Sequence, residues 1–148
     1  MRSARVVHRE LTDVGKSELC FAFLLEAGVH AHAGIAKCWT LRGPAAYALS
    51  EGGPTGGKSE VVCLKIALDL YNGTGASSLP RVLQLILPDP RQGGALLHLL
   101  QALREGHLAQ VKYVNKVIAA HLRDAEDPAA WAKDVGLQVV ARRGVGHA

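Results

Sequence analysis

Aromatic residues are scarce in this chain, with two Phe, three Tyr and two Trp among 148 residues. So few rings leave little from which to build the stacking platforms that hold single-stranded bases. Cysteine is equally sparse. Cys20, Cys38 and Cys63 form an odd set in apolar surroundings, which excludes a disulfide framework and points to a reducing compartment. Charged residues make up 20% of the chain against 49% hydrophobic, a balance that excludes global disorder. No apolar run approaches the roughly eighteen residues of a membrane span. The start, MRSARVVHREL, carries charge with no long apolar region behind it, so no signal peptide is expected. These absences predict a soluble, cytoplasmic protein with no membrane partner.

What is present is mostly aliphatic. Leu, Ala and Val dominate, a composition suited to close packing between helices. At 148 residues the chain has the size of one domain, and 1–148 is read as a single helical unit burying about two-thirds of its unfolded surface. The net charge of +4, from 17 basic and 13 acidic residues, permits attraction to phosphate without requiring it.

The tetrapeptide Gly-Lys-Ser-Glu occurs twice, at 15–18 before LCFAFLLEAG and at 57–60 before VVCLKIALDLYNG. Both copies read as helix starts: Ser17 and Ser59 are candidate caps, Glu18 and Glu60 suit the positive end of the helix dipole, and Gly28 and Gly73 mark the stops. Asp89-Pro90 and Asp127-Pro128 each place a capping residue before a proline suited to the first helical turn. Leu96, Leu97, Leu99, Leu100 and Leu103 supply an apolar face that ends near Gly106. Leu108, Val111, Val114, Ile118 and Leu122 supply the next, and together the two segments predict a helical hairpin. Short alternating stretches from Val29 to Leu41 suggest a small β-hairpin, Gly43-Pro44 opens a short helical piece, and Leu137–Ala141 is expected to pair as a strand with Arg5–Val7. The fold class is therefore mainly α, a compact helical domain with a small hairpin and short terminal strands, with α+β as the alternative.

Three patterns carry chemistry. Gly52, Gly57, Lys58 and Ser59 fit G-x-x-x-x-G-K-S, the spacing that wraps backbone amides around phosphates, with Lys on phosphate and Ser on magnesium. Nucleotide and Mg are the cofactors of that alternative, and otherwise none is expected. It requires a strand before Gly52, yet Ala45–Glu51 reads as helix. Val82–Leu87 would have to be the strand that delivers Asp89 to the metal. His30, His32 and Cys38, with Cys20 or Cys63, offer imidazole and thiolate for zinc, but the spacing matches no established zinc pattern, so no metal site is assigned.

The third pattern is basic. Lys112, Lys116 and Arg123 share one face of the second hairpin helix, giving 93–123 the outline of a helix-turn-helix. In that alternative the three cations contact phosphates while Gln110 and Tyr113 face the bases. Asn115, between core-facing Val114 and Ile118, is expected to be buried instead. Basic residues at the termini, Arg2, Arg5, Arg9, Arg142 and Arg143, add to the charge. With no nucleophile, base and orienting acid in an identifiable arrangement, the leading expectation is non-enzymatic. It is a small interaction or regulatory module acting through self-association or a protein partner, because a lightly charged, apolar-rich chain has surface to cover.

Overall fold

The computed structural model describes residues 5–29, 58–73, 75 and 77–142. In chain order the elements are strand β1 (Arg5–His8), helices α1 (Lys16–Ala27) and α2 (Lys58–Asn72), a short α3 (Leu79–Arg81) that continues as a π-helical segment (Val82–Ile86), helices α4 (Pro90–Glu105), α5 (His107–Asp124) and α6 (Pro128–Val135), and strand β2 (Val139–Arg142). The fold is mainly α, as the aliphatic composition predicts. The expected hairpin between Val29 and Leu41 and the helical piece after Gly43 fall almost wholly outside the described residues.

Helix α1 is the hub. Every residue from Leu19 to Leu25 is buried, and a helix apolar on all sides must lie inside the fold. It packs against α2, α4 and α5. Its Phe21, Phe23 and Leu24 are among the largest fully buried side chains, each worth ~1.5–3 kcal/mol of burial. The Cys20 thiol donates to the Ala67 carbonyl of α2 at 3.1 Å, so this cysteine serves the α1–α2 contact.

Local signals set the helix ends, with one correction. Neither serine is a cap: Ser59 lies inside α2, and the N-cap of α1 is Gly15, whose N–H donates to Glu18 Oε1 at 2.5 Å. The first turn thus begins two residues earlier than a cap at Ser17 allows, and Glu18 reaches back as the acidic half of a capping box. At the other end Gly28 takes the left-handed conformation, φ 83°, and Val29 N–H closes onto Leu24 O at 2.9 Å, a stop that glycine makes without strain. Asp89 caps α4, accepting from the N–H groups of Arg91 at 3.0 Å and Gln92 at 2.8 Å. Asp127 caps α6 through Ala130 N–H at 3.2 Å.

The two ends of the described chain meet. Strand β1 pairs antiparallel with β2 in the register Arg5↔Arg142, Val6↔Ala141, Val7↔Val140 and His8↔Val139. The ladder lies against α5 and α6.

Two expectations fail for a shared reason. Val82–Leu87 is not a strand: the chain enters helix at Leu79 and stays helical through Ile86, and Asp89 is committed to capping α4. Leu97, Leu100 and Leu108 do not belong to the core, being 57%, 50% and 77% exposed. Apolar content alone indicates neither strand nor inward orientation, since each residue turns a helix by about 100° and five leucines in eight positions exceed one face. Leu96 and Leu99 point inward, and α1 covers them.

Candidate interaction groove

Glu105, Gly106 and His107 join α4 to α5 with a single non-helical residue, Gly106 at φ 105°. That sharp joint forms the expected helical hairpin, and the end of α1 lies between its arms. Leu25 and Glu26 of α1, with stripes from α4 and α5, line a cleft of about 660 Å³. The α4 stripe runs from Arg91 through His98, Gln101 and Ala102 to Glu105, and the α5 stripe from Ala109 to Asp124. At 1.5 Å per residue the α4 stripe is about 20 Å long, which makes the cleft a groove.

Small apolar side chains make its floor: Ala102, Ala109, Val117 and Ala120, with Leu25 beneath. Alanines keep the floor wide between two helices that elsewhere carry leucine. Polar groups of both signs form the lips. Lys112 and Lys116, one turn apart, are exposed on the α5 side, whereas Glu105 and Asp124 stand toward opposite ends.

One polar cluster anchors the α1 end. The Glu26 carboxylate pairs with His98 Nδ1 at 2.6 Å, and the Glu26 carbonyl accepts from Arg91 Nε at 3.1 Å. Arg91 lies across Gly28, where an added Cβ would sit 2.8 Å from the guanidinium carbon. Glu26 Oε1 and the Tyr113 hydroxyl are both buried, and the two side chains face each other. Burial first, then the Glu26 carboxylate, holds the Tyr113 phenol well above its ordinary range, so it is neutral and retains a proton to donate. Nearby, the His121 ring rests on Trp131 with centroids 4.3 Å apart. Its burial lowers the imidazole from its ordinary value of 6.5.

Of the residues expected to contact nucleic acid, Lys112, Lys116 and Tyr113 come together in the groove, while Gln110 and Arg123 are not among its lining. Tyr113 is directed to Glu26 rather than outward, and Arg123 stands beside Asp124 at 4.0 Å. Asn115 is buried, as its neighbours imply. Lys58 and Ser59 open α2, and the Ser59 hydroxyl accepts from Gln92 Nε2 at 3.3 Å. Gly52 and Gly57, with the segment before them, lie outside the described residues, as do His30, His32 and Cys38. Among the described residues no cluster of His, Cys, Asp or Glu could hold a metal ion, and no helix is long and apolar enough to cross a membrane.

Glu26, His98 and Arg91 had no sequence signal as a group, because their meeting depends on α1 and α4 packing. Ala102, Ala109 and Ala120, small residues beside Lys112 and Lys116, were the available hint. Compared with known proteins, the chain matches no family model, no curated protein and no solved structure.

Proposed function

We infer that the protein is a non-enzymatic interaction module whose α4–α5 groove receives an amphipathic helical segment of a protein partner. The observation that carries this reading is the groove's form: a 660 Å³ trough with an alanine floor and charged lips. Segments bound in this mode lay apolar side chains at i, i+3, i+4 and i+7 into such a trough. The occupant also fits the polar end. A polar side chain on the segment would meet the exposed His98 ring, which Glu26 holds at that end of the groove. Acidic side chains on its flank would meet Lys112 and Lys116.

Selection of displayed peptides against the full chain tests this. Enriched sequences are expected to share the helical apolar spacing and to lose binding to Ala109→Trp and Ala120→Trp, which fill the floor. No enrichment, or enrichment indifferent to both substitutions, would contradict the reading. Exposed Leu97 and Leu100 supply the comparison, since Leu97→Glu and Leu100→Glu should leave groove-bound peptides in place.

Lys112 and Lys116 favour a second reading, contact with nucleic-acid phosphates. Replacing both with Glu would abolish such binding, and the parent's affinity would fall steeply with salt. Salt-independent binding, or none at low salt, would remove it.

A further inference from the structure

Away from the groove, a smaller hollow of about 260 Å³ lies between α2 and the corner that leads into α3. Lys58, Val61, Val62 and Lys65 form one stripe of α2 along its wall. Ser77, Ser78 and Arg81 face them from the corner. Asp69 ties the two sides together, accepting from Ser77 N–H at 2.9 Å and from the Ser77 hydroxyl. The corner is therefore fixed against α2 by a carboxylate that lies outside the hollow's lining.

Three cations border this hollow, and no carboxylate does among the described residues. None of the three takes part in an ion pair with another described residue. Like charges around one small cavity repel, and Lys58 stands at the first residue of α2, where the helix dipole disfavours a cation. Local stability explains neither three cations on one hollow nor the placement of Lys58. An anion between Lys58, Lys65 and Arg81 would offset both costs.

We propose that the hollow bordered by Lys58, Lys65, Ser78 and Arg81 binds the phosphate group of a small phosphomonoester. Arg81 brings the planar fork that matches phosphate oxygens, the lysines bring compact charge, and Ser78 brings a neutral donor. Val61 and Val62 offer apolar wall for a short organic stem. The hollow is smaller than the roughly 300–1,000 Å³ of drug-sized pockets, which suits a phosphate with a few carbons. This site is independent of the groove and does not require the Gly-rich loop before Lys58.

Amide NMR of the full chain, titrated with inorganic phosphate and with glycerol phosphate at constant ionic strength, tests the site. Saturable shifts are expected at Lys65, Ser78 and Arg81, with glycerol phosphate binding no more weakly than inorganic phosphate. Joint Lys65→Gln and Arg81→Gln should weaken both by about tenfold or more, as loss of charge-assisted bonds implies, while Arg104→Gln, at an exposed cation outside both cavities, should change neither. The parent shift map stands without the variants, and circular dichroism checks that they fold. Non-saturating shifts, or equal shifts from chloride, would mean an adventitious ion only and overturn the proposal. So would full-strength binding in the double variant. Binding of inorganic phosphate alone would overturn the phosphomonoester assignment.

Discussion

Asn115 on α5 grips the backbone of Leu11 in both directions: its side-chain oxygen accepts from Leu11 N–H, and its amide nitrogen donates to Leu11 C=O, each at 2.9 Å. The same oxygen lies 3.0 Å from His8 Nε2. Because that oxygen can only accept, His8 carries its proton on Nε2. A side chain 104 positions from Leu11 in sequence thus fastens the exit of β1 to the helix that forms one arm of the groove.

Asn115→Ala should cost about 2–4 kcal/mol, since two backbone groups and a buried imidazole lose their partner together. Chemical denaturation measures this. Asn115→Asp should not restore stability, because a carboxylate oxygen would then face the Leu11 carbonyl. A loss below about 0.5 kcal/mol in the Ala variant, the scale of ordinary surface substitutions, would show that the clasp is dispensable.

Adjacent glycines in α4 should respond in opposite directions. A Cβ at Gly93 would fall 2.4 Å from the Leu87 carbonyl oxygen and 2.9 Å from that of Ile86, whereas at Gly94 it would meet nothing within 4 Å. Gly93→Ala should therefore destabilise by about 1–3 kcal/mol as α4 is pushed off the preceding turn. Gly94→Ala should stabilise by up to ~1 kcal/mol through helix propensity. Thermal melts of the two variants side by side give the comparison, and a stabilising Gly93→Ala would contradict the close approach.

Stability should fall at both ends of the pH scale for different residues. Burial, reinforced by Glu18 at Cys20 and by Asp89 and Glu60 at Cys63, pushes both thiols from 9.0 up to about 12. The folded chain holds these protons where the unfolded chain releases them, so this stability is complete below about pH 9 and is lost as pH rises toward 12. Tyr113, raised by burial and Glu26, acts in the same direction. His121 acts oppositely. Burial lowers its value, so its contribution is present above the ordinary 6.5 and is lost as pH falls through the lowered value. Urea titrations across pH should show the alkaline limb flattened by joint Cys20→Ala and Cys63→Ala, and the acid limb by His121→Gln. Limbs unchanged by these substitutions would contradict the assignment.

Much of the framework is readable without coordinates where the determinant is local. Asp89, Asp127 and Gly28 announce helix ends because a cap acts over three or four residues. The pairing of Val6 and Val7 with the tail is foreshadowed by alternation at both ends of the chain. Orientation is harder to read: Leu97, Leu100 and Leu108 resemble Leu96 and Leu99 in type, and only the position of α1 decides which are covered. The groove is harder still, since Glu26, His98 and Tyr113 belong to three helices and converge only after those helices pack. Val82–Ile86 misleads because five largely apolar residues suit a buried strand as well as a helical turn, and periodicity cannot separate them.

The central claim is that the α4–α5 groove is a docking site for a helical segment. Its most direct test is calorimetric titration of one groove-selected peptide into the parent chain and into Ala109→Trp with Ala120→Trp, each first shown by thermal melting to be folded. The account predicts saturable binding to the parent, a loss of at least about tenfold in affinity in the blocked variant, equivalent to ~1.4 kcal/mol, and peptide contacts at Ala109, Val117 and Ala120. Equal affinity for the two proteins would contradict it.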